Sequence, residues 1–157
     1  MKIQLWSIGK THDSQYKVAI DDFSRRLGKY HPAEWKILPA AKQTINTTEV
    51  NVKKQEAATV LGALDKDDYL VLLDERGKQF TSPELAQWLQ LRANESTRQL
   101  IFLIAGAFGA DESVMTRANF TWSLSPLVFP HQLVRLILAE QLYRACTINR
   151  NEKYHHQ

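Results

Sequence analysis

The chain has 157 residues, of which 44% are hydrophobic, 24% charged and 10% aromatic, with six Gly and five Pro. That composition excludes disordered, collagen-like and low-complexity chains, and the length suits one domain, 1-157, able to bury roughly two-thirds of its unfolded surface without a disulfide or a metal. Twenty Lys and Arg against seventeen Asp and Glu give a net charge of +3, and no run of like charge occurs, so polybasic tails are excluded and attraction to an anionic partner has to be local.

The opening Ile3, Leu5 and Ser7 alternate with Gln4, Trp6 and Ile8 and stop at Gly9, a strand pattern. The stretch is too short and polar for a secretory signal, and nothing in the chain approaches the ~18 apolar residues of a membrane span. A cytoplasmic location is expected. From Asp13 to Leu27 the period becomes helical: Tyr16, Ala19, Ile20, Phe23 and Leu27 share a face, Asp13 or Ser14 stands ready to cap the start, and Gly28 ends it. Ala33 to Pro39 alternates as a second strand. The polar stretch Lys42 to Thr48 is a candidate mobile loop, and Glu49 to Leu64 a second helix.

The continuous apolar run from Asp68 to Leu73 is the pattern of a strand buried on both faces, and it runs into a charged turn, Asp74 to Lys78. Thr81, Pro83 and Glu84 together spell a helix start with a capping box. Leu100 to Ile104 is a second doubly buried strand, followed by the small-residue turn Ala105 to Gly109. Asp111 to Ala118 is a short helix, Phe120 to Leu124 a short strand, and Pro130 to Ile148 a long closing helix. Strands alternating with helices predict an α/β fold with a mostly parallel sheet flanked by helices.

Open α/β sheets take ligands at the carboxyl ends of their strands. Three ends stand out: Leu73-Asp74, the Ala105–Gly109 turn, and the apolar Leu124 to Phe129 loop, an apolar floor for an adenine-like ring or simply a buried connection. With Pro130 at the first helical position, His131 lies in the first turn and Arg135 four residues on. Together with the helix N-terminus they favour an anion or developing negative charge, unless Arg135 instead pairs with Glu140 or another carboxylate.

The closing helix has no wide polar face, so it is expected to bury more than one side, with a second copy of the chain as the natural cover. Lone Cys146, among its apolar neighbours, reads as core and suits a reducing compartment. In the polar tail, Tyr154 and His155 have the chemistry to meet a nucleobase and phosphate. Adjacent His155 and His156 have no Cys or carboxylate at ligand spacing, so no metal is expected.

Several stretches recur together: M-K-I-Q-L-W-S-I-G-K, S-R-R-L-G-K-Y, V-L-L-D-E-R-G-K, L-I-A-G-A-F-G, W-S-L-S, F-P-H-Q-L-V-R, A-E-Q-L-Y-R-A and the terminal Y-H-H. In these the chain resembles the ribosomal RNA large subunit methyltransferase H family, in the SPOUT superfamily of α/β-knot methyltransferases. The resemblance implies a C-terminal trefoil knot, a homodimer, and S-adenosyl-L-methionine-dependent methylation of N3 of a pseudouridine in 23S rRNA, with assembled ribosomes the expected substrate. It also places cofactor contacts on Leu73, on Ala105, and on Leu124, Ser125, Pro126, Leu127, Val128 and Phe129. The family's Gly-Gly pair reads Ala105-Gly106 here; a positive φ would strain Ala105, a backbone contact would not. On this reading the catalytic residues are His131, orienting the base or relaying its proton, Arg135, stabilising charge, and Tyr154 and His155, touching RNA. Arg135→Ala is then expected to abolish methylation and spare cofactor binding.

Overall fold

The computed structural model describes residues 1–156. In chain order they form β1 (Lys2–Ile8), α1 (Ser14–Leu27), β2 (Ala33–Leu38), α2 (Glu49–Ala63), β3 (Tyr69–Gln79), α3 (Ser82–Asn94), β4 (Gln99–Ile104), α4 (Glu112–Arg117), β5 (Phe120–Ser123) and α5 (His131–Asn149). The strands make one sheet in the order β2-β1-β4-β3-β5, and every neighbouring pair is parallel.

A parallel sheet is covered on both faces because its crossovers lay helices over it. On one face Leu27 of α1, Leu85 and Leu89 of α3, and Leu138 and Leu142 of α5 pack on Ile3, Leu5 and Phe102. On the other, Ala57 and Val60 of α2 and Val114 of α4 pack on Trp6, Leu72 and Leu103. β4 lies between β1 and β3 with Leu100 to Ile104 all buried. That is why its sequence is continuously apolar rather than alternating.

The capping box at α3 is formed: Thr81 Oγ1 accepts from the Glu84 backbone N–H at 3.3 Å, and Thr81 N–H donates to Glu84 Oε2 at 2.7 Å. α1 begins differently from expectation. Asp13 stands at the cap position, but its side chain makes no capping bond, and Gly28 closes the helix in right-handed geometry. Pro130 is likewise the residue before α5, in extended conformation, and His131 is the first helical residue.

The charged segment after Leu73 is a bulge within β3 rather than the end of the strand. Both Leu73 and Lys78 stand opposite Trp122 of β5, so residues 74 to 77 loop out and the strand then resumes to Gln79. Gly77 permits this return: a Cβ there would lie 2.5 Å from the Thr121 carbonyl oxygen and 2.8 Å from the Trp122 nitrogen. Those atoms are backbone and cannot swing aside. Gly77→Ala should therefore separate the second half of β3 from β5 and cost about 3 kcal/mol, as severe overpacking does. A urea denaturation midpoint equal to wild type would contradict it.

Candidate active site

The carboxyl ends of β3, β4 and β5 and the first turn of α5 surround a cavity of about 450 Å³, within the range of sites for small molecules and cofactors. Its wall includes Leu73 after β3, Ala105 after β4, and Leu124, Ser125, Leu127, Val128 and Phe129 after β5, together with His131. Seven of the eight expected cofactor positions thus share one space. Pro126 is exposed beside it and is not part of the wall.

Local hydrogen bonds shape the loop after β5. Ser123 Oγ donates to the Ser125 carbonyl at 3.0 Å, and Ser125 Oγ accepts from the Leu127 N–H at 3.0 Å. The resulting turn holds Leu127 and Val128 outward, 68% and 81% exposed, so the loop is an open apolar rim rather than a buried connection. In the loop after β4, Gly109 takes a φ of +84° and its N–H donates to the Gly106 carbonyl at 3.0 Å. Among the described residues positive φ outside glycine occurs only at Ser96 and Asn151. Ala105 is therefore unstrained, and its side chain is compatible with a backbone contact to a ligand.

Two cavity-side groups, Arg76 and Glu56, escaped the sequence reading, and Asp74, at a strand end the sequence marked, gains its partner only in the structure. Asp74 and Arg76 lie on the wall within the β3 bulge, where Asp74 Oδ1 accepts from Arg76 Nε at 2.9 Å and Oδ2 from its terminal nitrogen at 2.8 Å. This pairing holds the Asp74 carboxyl below the usual carboxylate range, against the opposing effect of burial. Behind the loop after β4, Glu56 of α2 is only 6% exposed. Its Oε2 accepts from the Ala41 N–H at 3.2 Å, and its Oε1 has no partner among the described residues. A Cβ on Gly106 would meet Oε1 at 2.2 Å, so glycine there makes room for the carboxylate. The signal for Glu56 was present: Val52, Glu56 and Val60 are spaced four apart on the buried stripe of α2.

His131 faces the cavity with its pKa pushed below the ordinary 6.5, by burial first and the nearby Arg135 second, with Glu56 opposing. At neutral pH it is a neutral imidazole able to accept a proton.

Arg135 does not join it on the wall. Its side chain turns into the protein, 1% exposed. Nε donates to Ser7 Oγ at 3.1 Å, one terminal nitrogen to the Lys10 carbonyl at 2.7 Å, and the other to His12 Nδ1 at 3.1 Å. Among the described residues neither Glu140 nor any other carboxylate pairs with it; Glu140 instead bonds Arg144. Gln132 adds two bonds to the same segment, accepting from Asp13 N–H at 2.9 Å and donating to the Thr11 carbonyl at 3.3 Å. The first turns of α5 thus brace the connection from β1 to α1.

Nor do Tyr154 and His155 line the cavity of their own chain. Tyr154 Oη donates to Glu140 Oε1 at 3.0 Å, and Arg144 donates to His155 Nδ1 at 3.2 Å. Both residues are therefore pinned along the later turns of α5. The His155 Nε2 is buried without a partner among the described residues. Cys146 is buried, and burial pushes its thiol up to about 12, so it serves as core. Among the described residues there is no cluster of three or more His, Cys, Asp or Glu suited to a metal, and no helix is long and apolar enough to cross a membrane.

A parallel sheet with a cofactor-sized cavity over three strand ends, closed by an apolar loop and a helix start, agrees with the family comparison. The family model described as predicted SPOUT methyltransferase matches residues 1–155, and the chain belongs to that family. Within it, the chain is 46% identical to the ribosomal RNA large subunit methyltransferase H of Cytophaga hutchinsonii, over 99% of this chain and 100% of that protein. It is 42% identical to the protein of the same name from Parabacteroides distasonis, over the full length of both. The fold is also similar to the solved structure of a probable methylase family protein from Haemophilus influenzae Rd KW20, with a TM-score of 0.55 at 10% identity over 99% of this chain and 70% of that one.

Proposed function

We propose that the chain is an S-adenosylmethionine-dependent methyltransferase acting on N3 of a pseudouridine in 23S rRNA, as a homodimer and on assembled ribosomal particles. The observation that carries this reading is the convergence of the strand-end cavity and a neutral His131 at its edge. The full-length relatives named for ribosomal RNA methylation support the substrate, and the trefoil knot implied by the resemblance would lie in the crossings between β4 and α5.

The residues present suit this cofactor. The exposed apolar side chains of Leu127 and Val128, with Phe129, match a purine ring. Asp74 and Arg76 neutralise each other on the wall, and Glu75, outside that pair on the same wall, adds negative charge that would face a cationic ligand. When bound, S-adenosylmethionine supplies an electrophilic methyl group carried on a sulfonium. Because transfer is an in-line displacement, alignment of the acceptor nitrogen supplies much of the rate. His131 takes the imide proton from N3 on an imidazole nitrogen, and the N-terminus of α5 favours the resulting anion.

The length of α5 supports the dimer. Its 19 residues span about 27 Å at 1.5 Å per residue, with the cavity at the first turn and Tyr154 and His155 fixed against Glu140 and Arg144 further along. A second copy packed antiparallel on the half-buried Leu133, Leu136 and Ile137 would bring its tail to this cavity. α1 and α3 already flank the helix, so the partner has only this strip left to cover.

Mass spectrometry of 23S rRNA from cells lacking the protein should show loss of one methyl group on a pseudouridine, restored by the purified dimer and S-adenosylmethionine. An unchanged methylation pattern would overturn the reading. Calorimetry provides a separate prediction: because Ala105 is unstrained, Ala105→Gly should leave the cofactor affinity within about threefold of wild type, the scale of a backbone-entropy change. Sedimentation should give a dimer, and a natively stable monomer at low concentration would count against it.

A further inference from the structure

The end of the molecule opposite the cavity carries a second concave site, of about 590 Å³, between the last turn of α1 and the last turn of α5. Arg25, Arg26, Lys29 and Arg150 bring four cations to it, and Tyr30 and Tyr143 bring two rings. The S-R-R-L-G-K-Y stretch supplies most of this wall, and nothing in the methyl-transfer site uses it. Two carboxylates oppose the cations. Asp22 pairs with both Arg25 and Arg26, and Glu152 accepts from Tyr30 Oη at 2.6 Å. A positive excess remains, in a chain whose net charge is only +3.

The arrangement is partly preorganised. The Arg26 guanidinium sits 5.6 Å from the ring centres of both Phe23 and Tyr143, which fixes its direction, while Arg25 and Lys29 are exposed. Cations beside aromatic faces are the combination that holds a single nucleic-acid strand, phosphate by charge and base or ribose by contact with a ring. Glu152 belongs to both this wall and the tail, two residues before Tyr154. Whatever the cleft grips is therefore held next to the tail.

We propose that this basic, aromatic cleft binds the RNA sugar–phosphate backbone beside the target nucleotide, so that in the dimer one copy grips the strand while the other copy's cavity methylates it. The proposal rests on the rRNA-methyltransferase reading. This cleft gathers four cations and two rings in one concave space away from the cofactor cavity.

The test is the double variant Arg25→Glu, Lys29→Glu, compared with Lys54→Glu, Lys66→Glu, which makes the same change in net charge on exposed side chains outside the cleft. Methylation is assayed on ribosomal particles lacking the modification over a range of salt, and cofactor affinity is read by calorimetry. The cleft variant should keep its cofactor affinity and its thermal midpoint and raise KM for the particle by about tenfold. The slope of log affinity against log salt should shrink by about 1.4, at roughly 0.7 for each lost contact to a single strand. The control variant should change neither KM nor slope. Unaltered KM and slope in the cleft variant, or equal losses in the control, overturn the proposal while leaving the methyltransferase reading intact. A wild-type protein that binds the cofactor but neither methylates nor binds the particles overturns both.

Discussion

Arg135→Ala is expected to unfold the enzyme more readily before it says anything about chemistry. The guanidinium is buried and donates to Ser7 Oγ, the Lys10 carbonyl and His12 Nδ1. Truncation removes all three donors at once. It leaves the Lys10 carbonyl without its partner and opens a cavity between α5 and the end of β1. Charged hydrogen bonds contribute ~1.5–3 kcal/mol each and stranded acceptors add to the loss, so a destabilisation of about 3 kcal/mol is expected, allowing for partial relaxation. The urea midpoint should fall with an unchanged slope, and methylation should fall with it because the 9–13 connection loses its brace. Arg135→Met, which refills the space without donors, should recover only part of the stability. Wild-type stability in Arg135→Ala with turnover abolished would return the residue to the reacting base, where the resemblance alone had placed it.

His131→Ala should behave in the opposite way. The side chain is at the surface of the cavity and, among the described residues, makes no side-chain hydrogen bond that its loss would break, so folding and cofactor affinity should stay near wild type. The methylation rate should fall by about 100-fold or more, the usual contribution of a positioned acid–base group. The pH dependence follows from the direction of its shift. Burial and Arg135 lower the pKa from 6.5, and the proton acceptor is the neutral form. Wild-type kcat/KM should therefore stay level as pH falls from 8 towards 6.5 and decline only below it, once the imidazole is protonated. His131→Ala should lose that acidic limb. A decline centred above 6.5, or a variant within about threefold of wild type, would exclude His131 as the proton acceptor.

The elements themselves were largely legible because their signals are local. Continuous apolar runs marked β3 and β4, and the Thr81–Glu84 pattern marked the start of α3. The three strand ends also pointed to the cavity, since the ligand position of an open parallel sheet follows from its topology. Departures arose where a residue's role depends on a partner far along the chain. The bulge in β3 needs Thr121 and Trp122 to receive it. Arg135 finds its acceptors more than 120 residues away in sequence, and no helical projection separates a cation aimed at a ligand from one aimed at a backbone carbonyl.

By itself, then, the sequence determined an alternating α/β chain of one domain's length, the order of its elements, the family its motifs resemble and the strand ends at which to look for a ligand. All of these follow from periodicity, capping and turn chemistry within short windows, or from motifs read along the chain. Only the tertiary structure decided which polar residues share a space. It set His131, Asp74 and Arg76 on one cavity wall and Glu56 behind it, turned Arg135 into a buried brace, and held Tyr154 and His155 against Glu140 and Arg144 of α5. A side chain's direction is set by which acceptors packing brings within about 3 Å of it, and that distance is a property of the fold.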